Sequence, residues 1–393
     1  MRDISAVLVA ARDEGGRIGR TVAALRRTFP NAEVIVADDG SRDATVAEAE
    51  AAGARVLRLP RRGKGQALTL AEREAAAGSI VLCDADVEGD LRPLAGAGAD
   101  LAVAAFARRA GGGFGIAKAV ARRLTGVDEP LSGQRFLSPR ARGVVFPLAA
   151  GFGCEVRMTI DARRAGLRYE EVELDLTHRA TSRDAAGFVH RARQLRDALL
   201  AVGPTAVNHR GLRLPCVGWL FARQMPAVVA IGLADDLWSG PERGFHAHLR
   251  ARRTTGVLKL VGIPAVALAR TRSLSGALVV ALAANVLNQL DTRPGRALKA
   301  YIAAALPLRA QLGLAVLLAP YDLREMAMLG DAGANALGAM LGLKSVKRFT
   351  GRGRWAAIGA LAGVTLLGEA TSLGRLIERT PGLRAVDAWG RVA

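Results

Sequence analysis

Residues 79–87 read Ser79-Ile80-Val81-Leu82-Cys83-Asp84-Ala85-Asp86-Val87. The apolar run from Ile80 to Cys83 predicts a short buried strand. Asp84 and Asp86 follow it at a spacing of two, which places both carboxylates on one face of an extended chain. Two carboxylates at the carboxyl edge of an α/β sheet suit Mg²⁺ or Mn²⁺, because such sheets bind their ligands at that edge. The alternative is a strand-end turn with two solvated acids.

The composition indicates two or three domains and a high apolar content. The chain has 393 residues, half of them are apolar, and the mean hydropathy is +0.19. Its three cysteines, Cys83, Cys154 and Cys216, show neither metal-binding nor disulfide spacing, which favours a reducing compartment. The N-terminus lacks the apolar core of a secretory signal and leads directly into a predicted strand.

Positive charge is concentrated in the second half of the chain. Residues 201–393 carry 24 Lys or Arg and 10 Asp or Glu, so they hold +14 of the net charge of +19. A segment that is both apolar and basic predicts a membrane domain with basic cytoplasmic loops. Nucleic acid is the other usual partner of a basic protein, but the chain has no basic cluster with interleaved aromatic residues and no known nucleic-acid motif. We therefore expect a membrane partner and no nucleic acid.

The first half alternates predicted strands and helices. Strands are predicted at 4–11, 33–37, 54–59 and 80–83, with a helix after each of the first three, which indicates a doubly wound, mostly parallel α/β sheet. Polar residues suited to a nucleotide sugar follow the strands. Asp39 could accept a hydrogen bond from a base or ribose, and Lys64, between two glycines, could approach a diphosphate.

Four segments in this order resemble the family 2 glycosyltransferases with the GT-A fold. They are residues 9–14, ending in Glu14, residues 36–45 around Asp39, Gly63-Lys64-Gly65 and Asp84-Ala85-Asp86. The resemblance spans about residues 3–200. It implies that Glu14 and Asp39 contact the nucleotide, that Asp86 binds the metal, and that Asp84 binds the metal or the ribose. It also implies inversion at the anomeric carbon.

Acceptor chemistry is expected in residues 100–200. Glu155, at the start of a predicted helix, is the candidate general base that takes the proton of an acceptor hydroxyl. The alternative is a carboxylate that is simply favoured at a helix N-terminus. The family resemblance also implies a metal- or phosphate-contacting histidine near His178.

Six long apolar runs dominate residues 201–393. They lie at 214–234, 257–269, 274–290, 300–319, 326–343 and 355–367. Several approach the length that spans a bilayer, and buried helices of a soluble domain are the alternative. Acids interrupt these runs at Asp235, Asp236, Asp291 and Asp331, and acids within membrane segments are usually functional. Together these acids could hold one Mg²⁺ and a pyrophosphate.

The order Asp-Asp, Asn-x-x-Asn-x-x-Asp and Gly-Asp-x-Gly resembles the polyprenyl-phosphate N-acetylhexosamine-1-phosphate transferases. The resemblance covers about residues 213–370. The usual Asp-Gly pairs after the Asn motif are replaced by residues 292–295, and the expected histidine cluster is missing. This half is therefore either an active transferase or a remnant that serves as an anchor and polyprenyl-phosphate cradle.

The sequence thus predicts two domains, a GT-A-like α/β domain at 1–200 and an all-α membrane domain at 201–393. The expected activity is metal-dependent, inverting transfer of a sugar from a nucleotide sugar to a polyprenyl-phosphate or lipid-linked acceptor of the cell envelope. The expected location is the cell membrane, multi-pass, with the N-terminal domain cytoplasmic. The alternatives are a bifunctional enzyme with an active C-terminal transferase and a non-catalytic scaffold that binds lipid and nucleotide.

Overall fold

The computed structural model describes residues 3–106, 115–177, 185–238 and 255–391. The chain divides into two compact units, Met1–Gly203 and Pro204–Ala393. The division lies three residues beyond the boundary predicted from the sequence. Each unit has its own apolar core and is described by itself.

Seven strands form the sheet of the first unit. They are β1 (Ile4–Ala11), β2 (Glu33–Asp38), β3 (Arg55–Arg58), β4 (Ser79–Asp84), β5 (Leu101–Phe106), β6 (Arg135–Leu137) and β7 (Tyr169–Leu174). Their order in the sheet is β3-β2-β1-β4-β6-β5-β7. Strand β6 is antiparallel to both of its neighbours, and all other pairs are parallel. The predicted mostly parallel α/β sheet is confirmed.

Helices cover both faces of this sheet. Their bounds are α1 (Ile18–Thr28), α2 (Thr45–Ala51), α3 (Lys64–Glu74), α4 (Arg92–Gly96), α5 (Gly115–Thr125), α6 (Pro139–Val145), α7 (Cys154–Arg164) and α8 (Ala185–Val202). Helices α1, α2 and α4 share one core with Val7 and Val9 of β1. Helices α3, α6 and α7 share another with Ala6 and Leu8. Successive strand residues therefore feed opposite cores, and the strands are apolar on both faces.

The parallel strands β1, β2 and β4 end at the same edge of the sheet. Their last residues are Ala11, Asp38 and Asp84. Glu14, Asp39 and Asp86 follow within a few residues of these ends. The topology therefore brings acids that are distant in sequence to the edge where doubly wound sheets bind ligands.

The second unit is mostly helical. Its helices are α9 (Pro226–Trp238), α10 (Thr255–Thr271), α11 (Leu274–Leu290), α12 (Arg296–Leu308), α13 (Gly313–Leu323), α14 (Gly330–Arg348), α15 (Gly351–Thr371), α16 (Leu373–Arg379) and α17 (Pro381–Ala388). A two-stranded antiparallel sheet, β8 (Thr205–Val207) with β9 (Arg213–Pro215), precedes them. The prediction of an all-α domain is therefore wrong in this detail.

Two of the predicted apolar runs are not single helices. Residues 214–234 contain the end of β9, a 3₁₀ helix at Gly218–Arg223 and most of α9. Residues 300–319 are broken at Arg309, whose φ is +49°, directly after the last turn of α12, which contains Pro307. The left-handed residue ends the helix there, so α12 and α13 are separate.

Small residues allow the central helices of the second unit to pack very closely. A Cβ added at Gly338 of α14 would lie 2.3 Å from the carbonyl oxygen of Ala283 in α11, and one at Gly342 would lie 2.5 Å from Val280 Cα. A Cβ at Gly232 of α9 would lie 2.4 Å from Ala332 Cα. Glycine is therefore required at these crossings, which accounts for part of the glycine and alanine content of this half.

In the part of the chain that the structure describes, no single helix is both long enough and apolar enough to cross a membrane. Taken together, α15 and α16 are long and apolar enough to span a membrane by length and composition alone, but an 88° bend separates the two helices. Large apolar side chains are nevertheless exposed mainly on this unit, and Val261, Leu274, Leu317, Trp355 and Leu366 are among them.

Candidate active site

The site is built around Asp84, the last residue of β4. Its carboxylate accepts a hydrogen bond from Lys64 Nζ at 2.5 Å and another from Gln134 Nε2 at 2.8 Å. A Cβ at Gly133 would lie 2.4 Å from Asp84 Oδ2, so only glycine fits there. Asp86 lies two residues further on and is half-buried. Asp84 is thus fixed by two separate segments of the fold, Lys64 at the start of α3 and residues 133–134.

Lys64 carries the positive charge of the site. It is the first residue of α3, and Gly63 precedes it with a φ of +95°, a conformation that favours glycine. Its ammonium nitrogen lies 2.5 Å from Asp84 Oδ1 and 2.6 Å from Glu155 Oε1. Burial alone would lower the pKa of Lys64, but the charges of Asp84 and Glu155 raise it well above its ordinary value. Lys64 is therefore a permanent cation shared by two carboxylates.

Glu155, the predicted general base, belongs to the same cluster. It lies in the first turn of α7, and its side chain is only 4% exposed. One carboxylate oxygen pairs with Lys64, and Cys154 Sγ donates to the other at 3.0 Å. Burial raises the pKa of the Cys154 thiol well above its ordinary value, and the charge of Glu155 raises it further. Cys154 is therefore a protonated donor here, not a nucleophile.

Asp39 binds the protein's own backbone. Its carboxylate accepts hydrogen bonds from the backbone N–H of Arg62 at 2.5 Å and of Gly63 at 3.0 Å. Asp39 is buried, and these bonds hold the turn that presents Lys64. The sequence predicted a contact with the nucleotide, whereas the structure also assigns Asp39 a supporting role within the site.

Glu14 lies in the turn after β1. Its carboxylate pairs with Arg17 Nε at 3.2 Å, and its backbone N–H donates to Thr45 Oγ1 at 2.7 Å. Thr45 opens α2, so this turn is tied to the segment that follows β2. The structure thus connects the first two predicted nucleotide-binding turns to each other.

Two site residues were not singled out from the sequence. Gln134 contacts Asp84, and Arg135 is completely buried, where it donates to the carbonyl oxygens of Ser132 and Pro130 and to Thr159 Oγ1. Burial lowers the pKa of Arg135, and the charge of Glu155 partly opposes this effect. Nothing in the local sequence marked either side chain.

The donor set suits a divalent cation that also binds phosphate. Within the described ranges, no three His, Cys, Asp or Glu side chains lie together in a way that could hold a metal ion. Asp84 and Asp86 supply two carboxylates, and Mg²⁺ typically takes one or two carboxylates together with substrate phosphates and water. The two residues therefore fit a cation that arrives with a diphosphate. His178, the predicted additional contact, lies outside the described residues.

A second polar cluster lies within the second unit. Lys259 Nζ donates to Asp235 Oδ2 at 2.7 Å and to Asp331 Oδ2 at 2.9 Å. The carboxylate of Asp236 accepts from the backbone N–H of Asp331 at 2.9 Å and of Ala332 at 3.1 Å. Asp291 interacts electrostatically with Asp236 and Asp331.

The four acids predicted as metal ligands of this half are thus neighbours. Half-buried Lys259, which no sequence motif included, already pairs with two of them. Its signal was present, because Lys259 is an isolated charge in the apolar run 257–269.

Comparison with known proteins connects the first unit to one family. Residues 6–94 match the family model described as Glycosyl transferase family 2. Among curated proteins, none matches this chain.

Solved structures similar to this chain include several of glucosyl-3-phosphoglycerate synthase from Mycobacterium tuberculosis. The complex with phosphoglyceric acid is 28% identical, with a TM-score of 0.44, and the match covers 51% of this chain and 80% of that one. The complex with Mn²⁺, UDP and glucosyl-3-phosphoglycerate is 27% identical, with a TM-score of 0.43 and coverage of 55% and 87%. A third structure contains Mg²⁺ and UDP, at 27% identity, a TM-score of 0.43 and coverage of 51% and 79%.

The matched residues include most of β1, Glu14, Asp39, Lys64 and the Asp84-Ala85-Asp86 segment, whereas Gln134 and Glu155 lie beyond the match. The resemblance of residues 213–370 to polyprenyl-phosphate transferases stays a prediction. The first unit contains a glycosyl transferase family 2 domain at residues 6–94, and the chain is a glycosyltransferase.

Proposed function

We propose that the first unit transfers a sugar from a nucleotide sugar to a lipid-linked acceptor, with Mg²⁺ or Mn²⁺ bound by Asp84 and Asp86. The observation that carries this proposal is the position of Lys64 Nζ, 2.5 Å from Asp84 and 2.6 Å from Glu155. Lys64 therefore contacts both Asp84, where we expect the diphosphate to bind, and Glu155, which we expect to activate the acceptor.

Charge compensation for the leaving group comes from two sources. When bound, the divalent cation acts as a Lewis acid that stabilises the negative charge of the departing nucleoside diphosphate. Lys64 adds a fixed positive charge beside it, and the turn held by Asp39 keeps Lys64 in place. Because Gln134 and Gly133 fix the Asp84 carboxylate, little reorganisation is needed as charge develops.

Glu155 is the proposed general base. The acceptor oxygen forms a bond to the anomeric carbon while the bond from that carbon to the diphosphate oxygen breaks. The proton of an acceptor hydroxyl passes to a carboxylate oxygen of Glu155. One displacement of this kind inverts the anomeric carbon, which is the stereochemical outcome that we propose.

Two acceptors are consistent with this chemistry, and Glu155 distinguishes them. The hydroxyl of a lipid-linked sugar must lose a proton, so its reaction depends on Glu155. A polyprenyl phosphate attacks through an ionised oxygen and needs no base. The apolar side chains exposed on the second unit support a lipid acceptor of either kind, because large exposed apolar areas mark interaction surfaces.

The proposed location is the cell membrane, multi-pass, with the first unit on the cytoplasmic side. The support for this proposal is the same exposed apolar surface together with the charge of +14 on residues 201–393. Basic residues attract the anionic surface of a cytoplasmic leaflet.

The testing experiment is a donor screen with the purified full-length chain in detergent. UDP, GDP and UMP release would be measured separately in the presence of Mg²⁺ or Mn²⁺. Release of a nucleoside diphosphate that Asp86→Ala abolishes supports the proposal. Asp90→Ala is the matched control, because Asp90 follows on the same loop and pairs with exposed Arg92. Full activity of Asp86→Ala would remove the metal role, and tight nucleotide binding without turnover of any donor would favour the scaffold.

The convergence of Asp235, Asp236, Asp291 and Asp331 favours a second candidate function. In it, the second unit is an active polyprenyl-phosphate N-acetylhexosamine-1-phosphate transferase, and the first unit extends its product. Release of UMP from a UDP-sugar, lost in Asp235→Asn, would support this function, whereas release of UDP alone would count against it. Because Lys259 already pairs with two of the acids, we favour a second unit that binds lipid without catalysis.

A further inference from the structure

A pocket in the second unit lies apart from the acid cluster of that unit. Its volume is about 560 Å³. It is formed where Arg223 ends the 3₁₀ helix, where Arg270 lies in the last turn of α10, and where Lys344 and Lys347 lie near the end of α14. Lys344 is thirteen residues beyond Asp331 on the same helix, a separation of about 20 Å at the helical rise.

The charged side chains of this pocket all have one sign. Among the described residues, Arg223, Arg270, Lys344 and Lys347 line it, and no acid does. None of these four side chains forms a hydrogen bond or an ion pair with any residue in the described ranges. Elsewhere in the same unit, cations such as Lys259 and Arg296 are paired with carboxylates. Four cations from three segments, without a carboxylate partner in the described part of the chain, surround one cavity and create a field that attracts an anion.

The remaining lining is apolar, with one unsatisfied amide. Met225, which is buried, lines the pocket together with Met340 and Leu343. The side-chain oxygen of Gln224 is buried and has no hydrogen-bond partner among the described residues. Methionine side chains adapt to irregular apolar ligands, and a buried amide oxygen without a partner invites a donor such as a ligand hydroxyl.

We propose that this pocket binds the head of an anionic phospholipid. Its phosphate lies among the four cations, and the first carbons of its chains lie against Met225, Met340 and Leu343. Arginine forks and lysine ammonium groups both suit phosphate oxygens. The volume is within the range of about 300–1,000 Å³ that is usual for sites of small organic ligands, and it exceeds what inorganic phosphate needs. This proposal does not depend on glycosyl transfer, because none of its residues lies in the first unit.

The test measures binding to the full-length chain in neutral detergent with EDTA present, so that metal-dependent diphosphate sites do not contribute. Binding of three probes is measured by calorimetry. The probes are dihexanoyl phosphatidic acid, dihexanoyl phosphatidylcholine and glycerol 3-phosphate. Phosphatidic acid should bind roughly tenfold or more tightly than either of the others, because only it combines an uncompensated anion with chains. If glycerol 3-phosphate binds equally tightly, the acyl chains do not contribute and the lipid proposal is wrong. If phosphatidylcholine binds equally tightly, the site does not prefer an anion and the proposal is also wrong.

Substitution assigns the site to this pocket. Arg270→Gln combined with Lys344→Gln should weaken phosphatidic acid binding roughly tenfold or more, because charge-assisted hydrogen bonds are lost. Arg352→Gln combined with Arg375→Gln is the matched control, since these exposed arginines lie on α15 and α16 and do not line the pocket. Unchanged binding by the first pair, or an equal loss in the second, would overturn the proposal. Unaltered thermal unfolding of both variants establishes that they are folded.

Discussion

The ammonium nitrogen of Lys64 lies 2.6 Å from Glu155 Oε1, in an ion pair whose carboxylate side chain is only 4% exposed. The same nitrogen contacts Asp84 at 2.5 Å. The group proposed to bind the diphosphate and the group proposed to activate the acceptor are therefore paired with the same cation before any substrate binds. A nucleotide diphosphate that draws the lysine toward itself would weaken its pairing with Glu155 and leave that carboxylate better able to accept a proton.

Replacing Lys64 by Met should lower kcat about 100- to 1,000-fold, which is the usual cost of losing one preorganised electrostatic contact to a developing charge. Lys118→Met is the control, because Lys118 also pairs with a carboxylate of the first unit, Glu129, at 2.5 Å. Nucleoside diphosphate release under saturating donor is the measurement. A loss of similar size in both variants would mean that general stability, and not site chemistry, is responsible.

The raised pKa of Lys64 also predicts how the stability difference between the natural chain and Lys64→Met depends on pH. Because the pKa of Lys64 in the folded chain is raised above its ordinary value of 10.5, the ion pairs stabilise the fold fully below that pH and are lost only as the pH rises through the folded-state pKa. The difference in Tm between the natural chain and Lys64→Met should therefore stay constant between about pH 6 and pH 9. A difference that shrinks across this range would contradict the raised pKa.

Glu155→Gln should separate the two kinds of acceptor. With a hydroxyl acceptor, loss of the base should reduce kcat about 100- to 10,000-fold. With a polyprenyl phosphate acceptor, the reduction should be small, because no proton is transferred. Parallel assays with both acceptors check this, and Glu129→Gln, which removes an ion-paired carboxylate of the same unit, is the control. Equal large losses with both acceptors would show that Glu155 positions groups instead of taking a proton.

Asp39→Asn should raise the KM for every nucleotide sugar by a similar factor. An asparagine keeps one acceptor oxygen but loses part of the bonding to the N–H groups of Arg62 and Gly63, so the turn before Lys64 loosens. Asp43→Asn is the control, because Asp43 also holds backbone N–H groups, those of Gly15 and Thr45, in the neighbouring loop. A change in preference between UDP and GDP donors would instead indicate direct contact with the base.

Gly65→Ala should destabilise the first unit and disturb Lys64. A Cβ at this position would lie 1.9 Å from the carbonyl oxygen of Ala149, so α3 must shift away from the turn before α7. Gly143→Ala is the control, because Gly143 lies in α6 with open space around it and alanine gains about 0.5–1 kcal/mol over glycine in a helix. Thermal unfolding should therefore move in opposite directions for the two variants. A Gly65→Ala chain as stable as the natural one would contradict the close approach.

Local patterns were sufficient to predict the sheet and the positions of most acids. Strand ends in a parallel sheet share one edge, so the placement of Asp39 and Asp84 follows from short apolar runs and their spacing. The partner of each side chain does not follow. Lys64 meets Glu155 only because α3 and α7 pack on the same face of the sheet, and Arg135 is buried by tertiary contacts that no local pattern indicates.

The second half shows the opposite balance. Its acids were predicted as metal ligands, and the structure places Asp235 and Asp331 on Lys259 and Asp236 on the backbone of Asp331 and Ala332. Hydropathy alone did not show that Arg309 ends a helix or that residues 214–234 contain a strand end and a 3₁₀ turn. The sequence also did not show that Lys259 pairs with Asp235 and Asp331, because these contacts depend on how the helices pack.

Lys259→Met should convert the second acid cluster into a cation-binding site. In the natural chain the ammonium group compensates Asp235 and Asp331, and removing one partner of a largely buried ion pair typically costs about 3–5 kcal/mol. The variant should therefore unfold at a lower temperature, and Mg²⁺ should restore part of the loss by binding only the folded state. Every protein in this experiment also carries Asp84→Asn and Asp86→Asn. This background removes any effect of cation binding by the first unit.

The control for this experiment is Lys299→Met in the same background. Lys299 donates to the carbonyl oxygens of Val386 and Asp387, so its loss leaves backbone acceptors that Mg²⁺ cannot rescue in the same way. If Mg²⁺ raises the Tm of the background chain with Lys259 intact by as much as it raises that of Lys259→Met, then the lysine does not occupy the place of a metal. In that case an active transferase in the second unit becomes the stronger interpretation. If Mg²⁺ raises the Tm of Lys259→Met alone, then the ammonium group of Lys259 takes the place of a metal in the natural second unit.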